Sequence, residues 1–208
     1  MRKRVFIWLF FVPFLVWGQS NEELDSTKVN NDSTSWNEFQ ERMNRITVSE
    51  ICNVPFGCSY EKAESILRNK YGDSSSESDR TKIIYRNKVY AGISFDMIYF
   101  LFQSDGVNSY MNGCIFIIET KSLKEARDKQ EELRRVVSYK YELSEYKDDN
   151  GEKYYVGGIP PKDSYDWLRP AFTIDILKYD VKEIFKGYVN GYATRLFYGR
   201  YNYIKEEF

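Results

Sequence analysis

The chain repeats one order of predicted elements, a helix followed by three strands. Four short stretches of the first copy have counterparts in the second copy, and they occur in the same order. The matches are Lys70-Tyr71 with Lys140-Tyr141, KVYAG (88–92) with KYYVG (153–157), GISFDMI (92–98) with AFTIDIL (171–177), and YMNG (110–113) with YVNG (188–191). Self-similarity of this kind indicates an internal duplication. The predicted fold class is therefore α+β, with tandem helix-plus-three-strand repeats that share one antiparallel sheet and place their helices on one face.

Both predicted helices have recognisable starts. Ser59 is a good N-cap for a helix that ends at Gly72, because its hydroxyl can accept a backbone N–H of the first turn. Ser122 and Glu125 form a capping box for a helix that runs to about residue 141. Runs of β-branched and aromatic residues predict the strands 82–90, 93–102, 114–118, 153–156, 171–179 and 192–203.

The N-terminal residues have the pattern of a secretory signal peptide. Arg2, Lys3 and Arg4 precede a run of 13 apolar residues, 5–17, which is too short to span a membrane because a span needs about 20. We predict cleavage after Gly18 and a periplasmic or secreted protein with no transmembrane helix in the mature chain. The predicted segments are a signal peptide (1–18), a disordered tether (19–34), a first repeat with an amphipathic N-terminal helix (35–121) and a second repeat (122–208), both repeats forming one domain.

Charge and composition exclude several classes of function. Removal of the three basic N-terminal residues lowers Lys and Arg from 30 to 27 against 31 Asp and Glu, a net charge of −4, which argues against a nucleic-acid partner. The chain contains no histidine. Neither a Ser-His nor a Cys-His nucleophile pair is possible, and the commonest metal ligand is missing, so no metal or cofactor is expected.

Three cysteines remain in an exported chain, where two of them can pair. The sequence cannot choose among the three possible pairings. We favour Cys52–Cys58, because the short loop between them contains Pro55 and Gly57. A nucleophilic role for Cys58 is the less favoured interpretation, since no imidazole can activate it and it directly precedes the cap Ser59.

Strand alternation divides the side chains of 93–102 between two faces of the sheet. The more uniformly apolar set, which we expect beneath the helices, is Ile93, Phe95, Met97, Tyr99 and Leu101. The other set would line an open face: Ser94, Asp96, Ile98, Phe100 and Phe102, with Thr173, Asp175, Leu177 and Tyr179 from the second repeat. This face is either a partner site or is covered by another segment, such as the helix around Trp36.

An insertion, GIPPKDSYDWLRP (158–170), interrupts the second repeat. The architecture does not require it, and loops on rigid scaffolds often carry binding residues. Tyr165, Trp167 and Arg169 are of the residue types that dominate binding hot spots. The alternative is that Trp167 folds back and buries its indole on the sheet.

The stretch Phe56-Gly57-Cys58-Ser59-Tyr60, followed by Ala63, Leu67 and three strands, resembles the F-G-x-S/T helix entrance of one known module. That module is found in the β-lactamase inhibitory protein and in outer-membrane assembly lipoproteins. The chain also resembles secreted proteins of the Bacteroidetes type. The resemblance covers about residues 47–205 and implies one curved sheet built from two units, with protein binding as the function. The lipoproteins carry a lipidated cysteine that this chain lacks.

The predicted function is that of a non-enzymatic protein-binding or inhibitory module, whose partner is an envelope or secreted protein. The open sheet face and the inserted loop would form the binding surface. The alternative is a carboxylate-dependent glycan hydrolase, in which Asp96 and Asp175 flank a sugar bond. A carrier of an apolar ligand is a third possibility.

Overall fold

The computed structural model of the chain describes residues 28–165, 169–179 and 191–204. The predicted signal peptide lies outside these residues.

The chain divides into two units, 1–39 and 40–208. Helix α1 (Lys28–Ile46) begins within the segment predicted as a tether. In the first unit the rings of Trp36 and Phe39 stack with centroids 5.7 Å apart, and both side chains are largely exposed. No helix among the described residues is long and apolar enough to cross a membrane.

The second unit is α+β, as predicted, and its main feature is a seven-stranded antiparallel sheet. Its elements after α1 are β1 (Glu50–Ile51), β2 (Val54–Pro55), α2 (Tyr60–Tyr71), β3 (Lys82–Tyr90), β4 (Ile93–Ser104), β5 (Ser109–Thr120), α3 (Leu123–Ser138), β6 (Leu143–Lys147), β7 (Lys153–Gly157), β8 (Phe172–Tyr179) and β9 (Gly191–Gly199). The strand order in the sheet is β3-β4-β5-β9-β8-β7-β6, and β1 pairs with β2 separately. The edge strand β6 was not predicted. Its residues, Leu143–Lys147, are mostly exposed, so its sequence resembles that of a loop.

Helix α2 forms where its caps predict it. The Ser59 hydroxyl accepts a hydrogen bond from the Lys62 backbone N–H at 3.3 Å, and Gly72, with φ of 82°, ends the helix. Tyr60, Ala63 and Leu67 are its buried residues, at the spacing of one helical face.

Gly57 fixes the entrance to α2. Its φ of 79° lies in the left-handed region that favours glycine, and its N–H donates to the Met111 carbonyl at 2.8 Å. A Cβ at this position would lie 2.9 Å from the Tyr203 ring. The glycine therefore lets the backbone approach both β5 and the C-terminal segment.

Only the Ser122 half of the predicted capping box forms at the start of helix α3, because the Glu125 carboxylate binds the backbone of Lys121 and not that of Ser122. The Ser122 hydroxyl accepts from the Glu125 N–H at 3.2 Å, while the Glu125 carboxylate accepts from the N–H of Lys121 at 3.0 Å. The side chain of Gln130 is buried and donates to the carbonyls of Lys153 at 2.7 Å and Ile174 at 3.4 Å. These bonds tie the helix to β7 and β8.

The main core contains residues of both helices and of the sheet, including Leu67, Leu133 and Phe116. In β4 the prediction of the buried face was right at one end and wrong at the other. Ile93 and Phe95 belong to the core, but so do three residues that were predicted to face outward: Ile98, Phe100 and Phe102.

The alternation of β4 therefore changes between Phe95 and Ile98. On the neighbouring strand, Asn87 lies between the pairs Arg86↔Met97 and Lys88↔Phe95 and has a φ of 51°. A left-handed residue interrupts the regular pleat of a strand. This irregularity lies opposite Asp96, where the alternation of β4 changes, and no periodicity in the sequence reveals it.

Candidate functional site

The inserted loop is anchored near its start and again at its middle. Ile159 pairs with Thr47 in a parallel bridge and accepts from the Val48 N–H at 2.8 Å. Further along, the backbone N–H of Tyr165 donates to the Asn202 carbonyl at 2.9 Å, while the Tyr165 side chain is 54% exposed. Arg169 is exposed as well. Trp167 lies outside the described residues.

Three of the residues predicted for the open face do not lie there, and the first of them, Ile98, is completely buried in the core. Phe100 is completely buried and Phe102 is 9% exposed, and both belong to the core. Phe102 packs against the ring of Tyr60 in α2 with centroids 5.0 Å apart. The prediction of a binding surface that includes these two rings is therefore wrong. Ser94 is exposed, and Tyr179 ends β8 with a side chain outside the described residues.

The two candidate catalytic carboxylates are not brought together. Asp96 lies on β4 and Asp175 on β8, and both β5 and β9 run between those strands. Three strand spacings separate them by about 14 Å, beyond the range in which two carboxylates flank one glycosidic bond. Each also has another partner, since Asp96 accepts from the Glu119 N–H at 2.8 Å and Asp175 binds Arg195.

Side chains that alternate with the core residues form what we call the second face of the sheet. The register aligns them in two neighbouring cross-strand rows. The first row is Ile84, Tyr99, Ile115, Phe197, Thr173 and Val156, and the second is Arg86, Met97, Ile117, Arg195 and Asp175. Tyr99, Ile115, Ile117 and Phe197 are half-buried, so apolar surface is accessible on the three neighbouring strands β4, β5 and β9.

The sequence contains a signal for this second apolar surface. Residues 114–118 of β5, Cys-Ile-Phe-Ile-Ile, are apolar without interruption. A strand with one solvated face alternates between apolar and polar residues, whereas a strand covered on both faces is continuously apolar. The run therefore predicts apolar side chains on both faces of β5, and Ile115 and Ile117 are the ones that lie on the second face.

The charged side chains of these two rows are paired. Arg195 donates to both oxygens of Asp175, at 2.9 and 2.5 Å, and its guanidinium lies 5.3 Å from the centroid of the Phe197 ring. The side chains of Arg195 and Asp175 are only 26% and 19% exposed. Arg86 donates to Glu77 at 2.7 Å, and this hydrogen bond raises the pKa of Arg86. Neutralised charges beside apolar side chains lower the cost of removing this surface from water.

Tyr99 lies in the first row, between Ile84 and Ile115. Its hydroxyl donates to the sulfur of Met97 at 2.9 Å. Burial raises the pKa of the Tyr99 hydroxyl, so the group stays neutral at physiological pH. The ring is half-buried, so part of its surface remains accessible to a partner.

The predicted Cys52–Cys58 disulfide is not formed in the structure. All three cysteines lie within the described residues and all three are free. The Cys52 sulfur is 3.4 Å from the Tyr71 hydroxyl, and burial raises the pKa of Cys52 to about 11. Burial also raises the pKa of Cys58, against a smaller opposing effect of Lys62, so Cys58 is a poor nucleophile at the helix entrance.

Within residues 28–165, 169–179 and 191–204, no three Cys, Asp or Glu side chains are grouped so that they could hold a metal ion. Comparison of the chain with protein-family models, with curated protein sequences and with solved structures found no match. The function must therefore be argued from the site itself.

Proposed function

We propose that the chain is an exported, non-enzymatic protein-binding or inhibitory module of the cell envelope. The observation that carries the proposal is the accessible apolar row Tyr99, Ile115 and Phe197 on the second face, next to the Arg195–Asp175 pair. Accessible apolar surface that spans several strands usually marks an interaction site.

The residue types in these rows suit recognition of a protein. Tyrosine, phenylalanine and arginine are enriched in interfaces, and a few such residues carry most of the binding free energy. The three central side chains are held on paired strands of one sheet. A preorganised surface loses little conformational entropy on binding.

The proposal includes a duplicated architecture with α2 and α3 on one face of the sheet. Leu67 of α2 and Leu133 of α3 pack into the same core, which supports this arrangement. The order β3-β4-β5 followed by β9-β8-β7 relates the two sets of three strands about the β5–β9 pair. This is the plan that the resemblance to the β-lactamase inhibitory protein and the assembly lipoproteins implies, and in which the face opposite the helices is available to a partner.

Export follows from the predicted signal peptide, 1–18, and places the partner among envelope or secreted proteins. The inserted loop supplies a second contact region. Tyr165 presents a largely exposed ring, and Trp167 and Arg169 follow it in the sequence.

A capture experiment tests the proposal. The mature chain, 19–208, is immobilised and exposed to envelope extract, and the retained protein is identified and purified for titration. Phe197→Thr is expected to weaken binding about 30-fold, because loss of one hot-spot ring costs about 2 kcal/mol and threonine keeps a β-branched residue on β9.

Tyr139→Ala is the matched control. It removes an aromatic ring that is 91% exposed at the end of α3, away from the sheet. Binding that Phe197→Thr leaves unchanged would contradict the proposed surface, and Trp167→Ala then shows whether the loop alone holds the partner.

A further inference from the structure

Strand β6 presents backbone groups outward at one edge of the seven-stranded sheet. It is the last strand in the order, and its strand partner among the described residues is β7 alone. The Asp148 N–H donates to the Glu152 carbonyl at 2.9 Å, so Asp148 faces β7. Backbone groups alternate in direction along an antiparallel strand. The N–H and C=O groups of Leu143, Glu145 and Lys147 therefore point away from the sheet, and none of them is hydrogen-bonded within the part of the chain that the structure describes.

The charges of β6 select which strand can pair with this edge. Free edges are usually protected by charged side chains, and both Glu145 and Lys147 are exposed. An antiparallel second copy of β6, centred on Tyr146, would place each Glu145 opposite Lys147 of the other copy. The outward backbone groups of the same two residues would then form the hydrogen-bonded pairs. Centring on Glu145 instead would oppose two like charges, which is unfavourable.

Lys147 lacks a counter-charge that a second copy would supply. It makes no salt bridge with any residue that the structure describes, and its Cα partner on β7 is another lysine, Lys153. Glu145 lies 2.8 Å from Lys153, and this hydrogen bond lowers the pKa of Glu145, which keeps the carboxylate ionised at neutral pH. In the pairing centred on Tyr146, the carboxylate of Glu145 would lie between Lys153 and Lys147 of the second copy.

Tyr146 connects this edge to the second face of the sheet. It is the Cα partner of Tyr154, and the two rings stack with centroids 5.6 Å apart. Tyr154 alternates with the buried Tyr155, which places both stacked rings on the second face. The Tyr146 side chain is 51% exposed. In a two-fold pair centred on Tyr146, the two copies of this ring would be direct cross-strand neighbours, and aromatic neighbours of this kind stabilise a sheet.

We propose that two copies of the chain associate through antiparallel pairing of their β6 strands, centred on Tyr146. The two sheets join into one, and each Glu145 faces Lys147 of the other copy. The inference goes beyond the function proposed above, because the dimer requires no other protein and brings two second faces side by side. One short strand from each copy buries less surface than a standard interface, so the dissociation constant is expected to be micromolar rather than nanomolar.

Sedimentation equilibrium of the mature chain, 19–208, tests the dimer over a range of protein concentrations. The wild type should change from monomer to dimer as the concentration rises. Lys147→Glu sets a carboxylate against Glu145 at both symmetric positions and should weaken association at least about tenfold. The double variant Glu145→Lys with Lys147→Glu exchanges the two charges and should restore association. Lys62→Glu reverses an exposed lysine of α2 and is the matched control, with no expected effect.

Glu145→Pro tests the backbone pairing separately. The N–H of Glu145 points away from β7, so proline removes a hydrogen bond between the copies and none between β6 and β7. This variant should keep the circular dichroism spectrum of the wild type and lose the dimer.

Two results would overturn the proposal. One is a wild-type chain that stays monomeric up to about 1 mM. The other is a dimer that persists in Lys147→Glu and Glu145→Pro, or one that the charge exchange fails to restore. Neither result bears on capture through Phe197, which is measured separately.

Discussion

Replacement of Phe116 by alanine is expected to lower the free energy of unfolding by about 3–5 kcal/mol, the range measured for large aromatic truncations in cores. Phe116 is completely buried on β5. Its ring contacts those of Tyr90, Phe95 and Tyr198, with centroids 5.1, 4.9 and 6.2 Å away. The cavity left by the substitution would lie where β3, β4 and β9 meet β5, so collapse of the surroundings cannot fill it without moving several strands.

Urea unfolding followed by circular dichroism measures the effect. Tyr139→Ala provides the comparison, since a ring that is 91% exposed should change stability by no more than about 0.5 kcal/mol. Similar losses of stability in Phe116→Ala and Tyr139→Ala would mean that Phe116 is not at the centre of the core. If the slope of the free energy of unfolding against urea concentration is unchanged, the same cooperative unit unfolds in both variants.

The substitution Leu67→Ala is expected to cost about 2–5 kcal/mol, because it removes the largest completely buried side chain that α2 contributes to the core. Leu67 has no exposed surface, whereas Ser65, two residues earlier on the same helix, is exposed. Alanine is a good helix former, so neither substitution weakens the helix itself. Thermal unfolding of Leu67→Ala and Ser65→Ala therefore compares the packing of α2 on the sheet with a change on its solvent side. Equal melting temperatures would contradict the docking of α2 through Leu67.

Local signals were sufficient to predict α2, α3 and most of the strands. Ser59 and Gly72 limit α2, and Ser122 with Glu125 starts α3, because capping depends on neighbouring residues alone. The strand β6 has no comparable signal. It pairs with β7 through its backbone while its side chains remain mostly exposed, so its sequence resembles that of a loop.

The candidate site was less predictable, since it depends on which face of β4 is buried. The positive φ of Asn87 and the altered alternation near Asp96 arise from pairing between strands and are not encoded in the period of either strand. A change of alternation within a strand moves the side chains that follow to the other face of the sheet. Phe100 and Phe102 thus entered the core, while Tyr99 occupies the surface that they were expected to form.

The separation of Asp96 from Asp175 has a similar origin. Their positions in matching stretches of the repeat suggest proximity, but β5 and β9 lie between β4 and β8. In the strand order β3-β4-β5-β9-β8-β7-β6, the strands β4 and β8 are three strand spacings apart. Strand order, which is a long-range property, therefore separates the two carboxylates that the hydrolase hypothesis requires side by side.

Photo-crosslinking from the second face tests most directly whether this surface binds a protein. A benzophenone amino acid is placed at position 197 on β9 or, as the control, at the exposed position 135 on α3, and each chain is irradiated with the captured partner. The account predicts a covalent adduct from position 197 and none from position 135. An adduct from position 135 alone, or no adduct from 197 while the partner is bound, would contradict the assignment of the second face as the binding surface.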